Sequence, residues 1–238
     1  MSLAIKLALG PLLLVQALHT RRTTPALPEA RGPRQGSVGR GGPGLGLLIV
    51  GDSSAAGVGV DTQQEALAGR LSRALAQRLG RRVRWQLCAL SGVTTDQAIN
   101  LLGDADAADV AVVVTGVNDV VVQVRPATAV AARARLVTAL QQRAGIRHTV
   151  MTPVPPMQGF TGLPQPLRWL AGRDAAAHER ALAGWAALQP CVSHLPFCLP
   201  LDDPALLACD GFHPGAPLYR MWGDALAAHI ADEVWPRL

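Results

Sequence analysis

Aromatic side chains are scarce in this chain of 238 residues, at 4% of the total, and charged ones make up only 16%. The globular part carries no excess of positive charge. Up to position 44 the basic residues Lys6, Arg21, Arg22, Arg31, Arg34 and Arg40 face Glu29 alone; beyond it 16 basic and 16 acidic residues balance. The net charge of +5 therefore belongs to an amino-terminal arm, and the domain lacks the basic groove that nucleic-acid binding requires. The four cysteines, Cys88, Cys191, Cys198 and Cys209, form no CxxC pair, which removes zinc-ribbon and dithiol chemistry. They read as buried free thiols, with a Cys191–Cys198 bridge as the alternative. There is no G-x-x-x-x-G-K-[ST] phosphate loop. The G-x-S-x-G elbow of the α/β-hydrolases is also missing. His178-Glu179 opens like a zinc-protease motif, but position 182 is Leu. His19, His148, His194 and His229 have no partners at ligand spacing. Neither metal nor cofactor is implied.

What is present is an apolar chain, 49% hydrophobic, of a length that suits one α/β domain with an arm. We divide it into residues 1–44, an apolar segment followed by a basic Pro/Gly-rich linker, and 45–238, the domain. The run from Leu7 to Leu18 is about 12 residues, short of the roughly 20 that a membrane span needs. Two readings fit it. It is a retained helix lying on a membrane, with the cationic stretch Arg21–Arg40 behind it and the protein in the cytoplasm. Alternatively, residues 1–17 are a signal peptide of an exported protein. The first is preferred because Arg21-Arg22 directly follow the apolar run.

Five short apolar runs predict strands at Leu45–Val50, Val83–Cys88, Val110–Thr115, Arg147–Thr152 and Cys191–Pro196. The third is continuously β-branched or small, as a strand covered on both faces would be. Helices are expected between them. Thr62–Glu65 and Thr94–Gln97 have capping-box spacing, and Pro126 opens a helix running to about Ala144. Residues 165–189 form a long helical stretch broken near Gly172, and Gly215–Val234 closes the chain. This alternation predicts a parallel sheet with helices on both faces, whose active site lies beyond the carboxyl ends of the strands.

The reactive residue types fall at those ends. Gly51-Asp52-Ser53 follows the first strand, Gly92 the second, Gly116-Val117-Asn118-Asp119 the third, and Asp210-Gly211-Phe212-His213 the fifth. Acyl transfer needs a hydroxyl, a base, a carboxylate that orients the base, and donors for the oxyanion. Ser53, His213 and Asp210 supply the first three. The N–H groups of Ser53 and Gly92 and the amide of Asn118 supply the donors. His213 must be neutral to act as the base, so hydrolysis should fall on acidification.

The blocks GDSSAAG, SGVTT, GVND and DGFHP resemble those of the SGNH, or GDSL, hydrolase family, from about Leu45 to the carboxyl terminus. The four residues that name the family match as Ser53, Gly92, Asn118 and His213. Ser54-Ala55 departs from the family pattern after the nucleophile, which touches local pocket shape only. The resemblance implies a flavodoxin-like three-layer α/β/α sandwich on a five-stranded parallel sheet. It also implies hydrolysis of small acyl esters or thioesters, lipid-like or short, through an acyl-enzyme. An acyltransferase or a carbohydrate O-deacetylase on the same fold is the alternative, and a non-catalytic binding module is least favoured. After the fourth strand, the apolar stretch containing Met157, Phe160, Leu163 and Trp169 is expected to overhang Ser53 as an acyl pocket.

Overall fold

The computed structural model describes residues 3–42, 44–103, 105–195, 197, 200–201 and 203–238. Helix α1 (Leu3–Thr23) precedes strand β1 (Gln35–Val38). Strand β2 (Leu45–Gly51) leads into the single turn α2 (Ser53–Ala56) and then α3 (Leu67–Leu79). Strand β3 (Val83–Ala89) is followed by α4 (Thr95–Ala98), and β4 (Val110–Val114) by α5 (Val117–Val121) and α6 (Pro126–Ala144). The remaining elements are β5 (His148–Met151), α7 (Leu167–Ala186), β6 (Val192–His194) and α8 (Ala216–His229).

The sheet runs β1-β3-β2-β4-β5-β6. Its last five members are parallel, and in their own chain order they stand 2-1-3-4-5, the flavodoxin-like arrangement. Every residue of β2 and β4 is buried, because helices cover both sheet faces. Helix α3 packs on α8 in one layer, and α6 packs on α4 and α7 in the other. The expected three-layer sandwich is thus present, but the sheet has six strands rather than five. The extra one, β1, comes from the stretch expected to be a linker and pairs antiparallel with β3, Gln35 opposite Gln86. Its sequence QGSV has no apolar alternation because the strand lies on an exposed edge.

Several boundaries shift. The helix after Thr62–Glu65 begins only at Leu67. Thr62 instead donates to the Glu65 carboxylate at 3.0 Å, in the turn before the helix. The box at Thr94–Gln97 forms as expected. Helix α7 continues through Gly172, where a Cβ would come within 2.6 Å of Gln158 Oε1, so the glycine serves close packing rather than a break. The fifth expected strand is shorter, and its end, Pro196, lies outside the described residues, as does Cys198 of the considered bridge. Cys88 is half-buried, whereas Cys191 and Cys209 are exposed, and all three are free thiols. The expectation of burial therefore fails for Cys191 and Cys209.

Helix α1 rests against the start of α7. The Gln16 amide donates to Gln165 O at 2.6 Å, and its oxygen accepts from Leu167 N–H at 3.2 Å. Leu12, Leu14, Val15 and Leu18 on this helix are exposed. Among the described residues, no helix is long and apolar enough to cross a membrane.

Candidate active site

The chain leaves β2 toward β3 on one side, while β4 lies on the other. The crevice at this switch point is where a doubly wound sheet leaves room for a ligand. Four loops meet there, and backbone hydrogen bonds tie three of them together. Asp52 N–H donates to Val114 O at 3.1 Å, which joins the ends of β2 and β4. Leu90 N–H donates to Gly51 O at 3.2 Å, which brings in the turn after β3. The backbones here approach very closely: a Cβ on Gly51 would lie 2.3 Å from Val114 O.

Ser53 is the first residue of α2. Asp52 caps that turn, its Oδ1 accepting from Ser54 N–H at 3.0 Å. Asp52 is buried, and burial pushes its carboxyl up to about 7 despite the Ser54 N–H bond and nearby His213; Asp119 adds to the rise.

The Asp210–His213 loop closes on itself. Asp210 Oδ1 accepts from the N–H groups of Phe212 and His213, both at 3.0 Å. Its Oδ2 accepts from His213 Nδ1 at 2.6 Å. The D-x-x-H spacing thus lets one carboxylate shape the loop with one oxygen and orient the imidazole with the other. Burial alone would raise the Asp210 pKa, but these bonds outweigh it and hold the carboxyl below its ordinary value. With Nδ1–H committed to Asp210, His213 Nε2 is left as an acceptor, and Ser53 Oγ lies 2.9 Å from it. Ser53, His213 and Asp210 form an unbroken hydrogen-bonded chain consistent with a catalytic triad.

Gly92 has φ +84°, and nothing stands within 4 Å of where its Cβ would be. The left-handed backbone, not crowding, is what calls for glycine. Asn118 lies at the start of α5, and one of its amide N–H bonds donates to Val93 O at 2.9 Å. That contact joins the Gly92 turn to the end of β4 and fixes the amide plane. The sequence reading missed the support beneath it. Asp119 accepts from Thr95 N–H at 3.0 Å and from Thr95 Oγ1 at 2.5 Å, and Arg133 Nη2 lies 3.8 Å from it. All three residues are buried. The only sequence signal was an arginine amid the alanines of α6.

A cavity of about 40 Å³ opens beside Ser53. Of the four residues expected to line it, only Phe160 does. Met157 sits in a tight turn, Met157–Gly159, packed on α7, and belongs to the core. Leu163 is half-buried against that core. Trp169 is 40% exposed on the first turn of α7, under the Arg173 guanidinium at 5.1 Å. The wall is built instead from Phe160, Phe212, Leu207, Leu218 and Trp222. The Phe160 and Phe212 rings are 4.5 Å apart, and Phe212 meets the His213 ring edge-on at 5.2 Å.

Residues 49–221 match the GDSL-like lipase/acylhydrolase family. The chain belongs to that family. A curated relative, the GDSL-like esterase Rv1075c of Mycobacterium tuberculosis, is 28% identical over 95% of this chain and 78% of its own length. Among solved structures, the lipase Lip_vut3 from a goat rumen metagenome superposes with TM-score 0.63 at 16% identity, covering 79% of this chain and 97% of that one. TesA gives 0.61 at 23% identity, covering 81% and 99%. AlinE4, an SGNH-hydrolase family esterase, gives 0.54 at 23%, covering 82% and 99%. These similarities make this acylhydrolase an ester hydrolase with the SGNH fold. Among the described residues, no cluster of His, Cys, Asp and Glu is arranged to hold a metal.

Proposed function

We propose that this acylhydrolase cleaves short-chain carboxylic esters through an acyl-enzyme on Ser53. The observation that carries the reading is the position of His213, bonded to Asp210 through Nδ1 and to Ser53 through Nε2. Ser53 Oγ attacks the ester carbonyl carbon as its proton passes to Nε2. The Asp210 carboxylate, held ionised, stabilises the imidazolium that results. The carbonyl oxygen becomes an oxyanion, which accepts from the N–H groups of Ser53 and Gly92 and from the second amide N–H of Asn118. Collapse expels the alcohol, protonated by His213. Water then repeats the sequence, releasing the acid and freeing Ser53.

The cavity supports the choice of acyl group. The space beside Ser53 is small, about 40 Å³. Its apolar wall suits the short hydrocarbon of an acetyl or butyryl group, while a long chain would have to displace Phe160 or Phe212. A fluorophosphonate probe should label the wild type and leave Ser53→Ala unlabelled. A p-nitrophenyl ester series should give the highest kcat/KM at short acyl lengths. Labelling of Ser53→Ala overturns the nucleophile, and a maximum at long acyl chains overturns the pocket. Product analysis with a competing alcohol separates hydrolysis from acyl transfer.

A further inference from the structure

Glu29 belongs to the amino-terminal arm, 24 positions before Ser53, yet it bonds to the turn that carries Gly92. Its Oε1 accepts from Ser91 N–H at 2.7 Å and from Ser91 Oγ at 2.8 Å. Its Oε2 is paired with Arg34, whose Nη1 donates in turn to Ala89 O, the last residue of β3, at 2.5 Å. The Ser91 bonds and the Arg34 charge outweigh burial and keep the Glu29 carboxyl below its ordinary pKa, so it is an anion at neutral pH.

The turn needs such support. Leu90, Ser91 and Gly92 are all exposed, and no atom stands within 4 Å of where a Gly92 Cβ would be, so packing does not hold its outer side. The other bonds that fix it are Leu90 N–H to Gly51 O at 3.2 Å, Asn118 to Val93 O at 2.9 Å and a long Val93 N–H to Leu90 O at 3.5 Å. The two bonds to Glu29 are the shortest of the set, and one of them holds the peptide N–H immediately before that of Gly92.

We infer that Glu29 is a positioning residue, which holds the Ser91–Gly92 turn so that the Gly92 N–H is aimed at the oxyanion before substrate arrives. Arg34 holds the carboxylate, and the carboxylate holds the turn. The inference rests on the reading of Gly92 as an oxyanion donor. Preorganised donors act on the transition state more than on bound ester, so their loss appears in kcat.

The test compares Glu29→Ala, Glu29→Asp and Glu29→Gln in the full chain, with active sites counted by fluorophosphonate titration. Glu29→Ala should lower kcat per titrated site by about ten- to a hundredfold with KM unchanged. Glu29→Asp keeps the charge but withdraws it by one methylene, and should lose nearly as much. Glu29→Gln keeps an oxygen for Ser91 but sets its amide N–H₂ against the Arg34 guanidinium, and should recover part of the rate. If Glu29→Ala fails to fold, the contrast between Asp and Gln still decides. Wild-type kcat per site in Glu29→Asp, or equal losses in Asp and Gln, overturns the inference. A Ser53→Ala variant that still turns over is a separate failure, because it overturns the nucleophile whatever Glu29 does.

Discussion

Two serines in this acylhydrolase bond to histidine, and they differ in almost everything else. Ser53 lies 2.9 Å from His213, and Ser193, in β6, lies 3.0 Å from His148 Nε2 and 2.8 Å from His229 Nε2. By imidazole count Ser193 is the better supplied. Yet burial holds both of its histidines below their ordinary pKa; His229 and Arg237 lower His148 further, and His194 and Arg237 lower His229 against the opposing Glu233. Among the described residues, neither ring hydrogen-bonds a carboxylate. Ser53 has Asp210 behind its histidine and a cavity in front, and the turn that carries Gly92 is tied to its own loop through the Leu90–Gly51 bond. An imidazole at bonding distance does not make a nucleophile; the carboxylate, the donors and the space for substrate do.

Substitutions can break or sharpen that contrast. Ser53→Ala should lose on the order of 10⁵- to 10⁶-fold in kcat, as for nucleophile removal in other serine hydrolases. Asp210→Asn keeps the shape of the loop but makes His213 resemble the histidines around Ser193, and kcat should fall by about 10⁴-fold. Asn118→Ala removes one oxyanion donor and the bond to Val93, for a loss of about 10²- to 10³-fold with KM little changed. Steady-state kinetics checks all three, and a loss in Asp210→Asn no larger than that in Asn118→Ala would mean that the carboxylate is not what distinguishes the two serines.

Asp52 provides a stability test. Its folded pKa, about 7, is raised above the ordinary value of 3.8, so the protonated acid is the form the fold favours. The stability linked to it is fully present below pH 3.8 and is lost as pH rises to about 7. Above that the loss is constant, on the order of a few kcal/mol. Asp52→Asn keeps an acceptor for Ser54 N–H and carries no charge. Denaturant melts should show it more stable than the wild type above pH 7, with the gain vanishing near pH 4. The smallest effect is expected at Ser193→Ala: unchanged kcat, with about 1 kcal/mol less stability from the lost hydroxyl bonds. A fall in kcat there would end the comparison.

The parts most legible in the sequence were those governed by burial and by local spacing. The central strands announced themselves because they are covered on both faces and so are apolar throughout, as in Val110–Val114. Ser53, Asn118, Asp210 and His213 could be assembled because a parallel sheet sends every strand end to the same edge. Contacts between distant, individually ordinary residues were not legible. Nothing in QGSV signals an edge strand, since its pairing depends on where β3 ends up. Nothing in the arm marks Glu29 as the partner of Ser91. Met157 and Trp169 were misassigned for a related reason: they are apolar and near the right strand, but one tight turn after Pro156 faces Met157 toward α7, and the helix phase leaves Trp169 outside.

β1 lies along the outer side of β3, and next to it Leu87 N–H donates to Arg34 O at 2.7 Å. A version of the protein shortened past residue 38 would leave the outward N–H and C=O groups of β3 without partners. An open ladder of this kind is a template on which a second molecule can add a strand of its own. The arm that contributes Glu29 to the Gly92 turn therefore also covers the seven-residue edge of β3 and leaves a strand of only four residues at the rim of the sheet, a much shorter template.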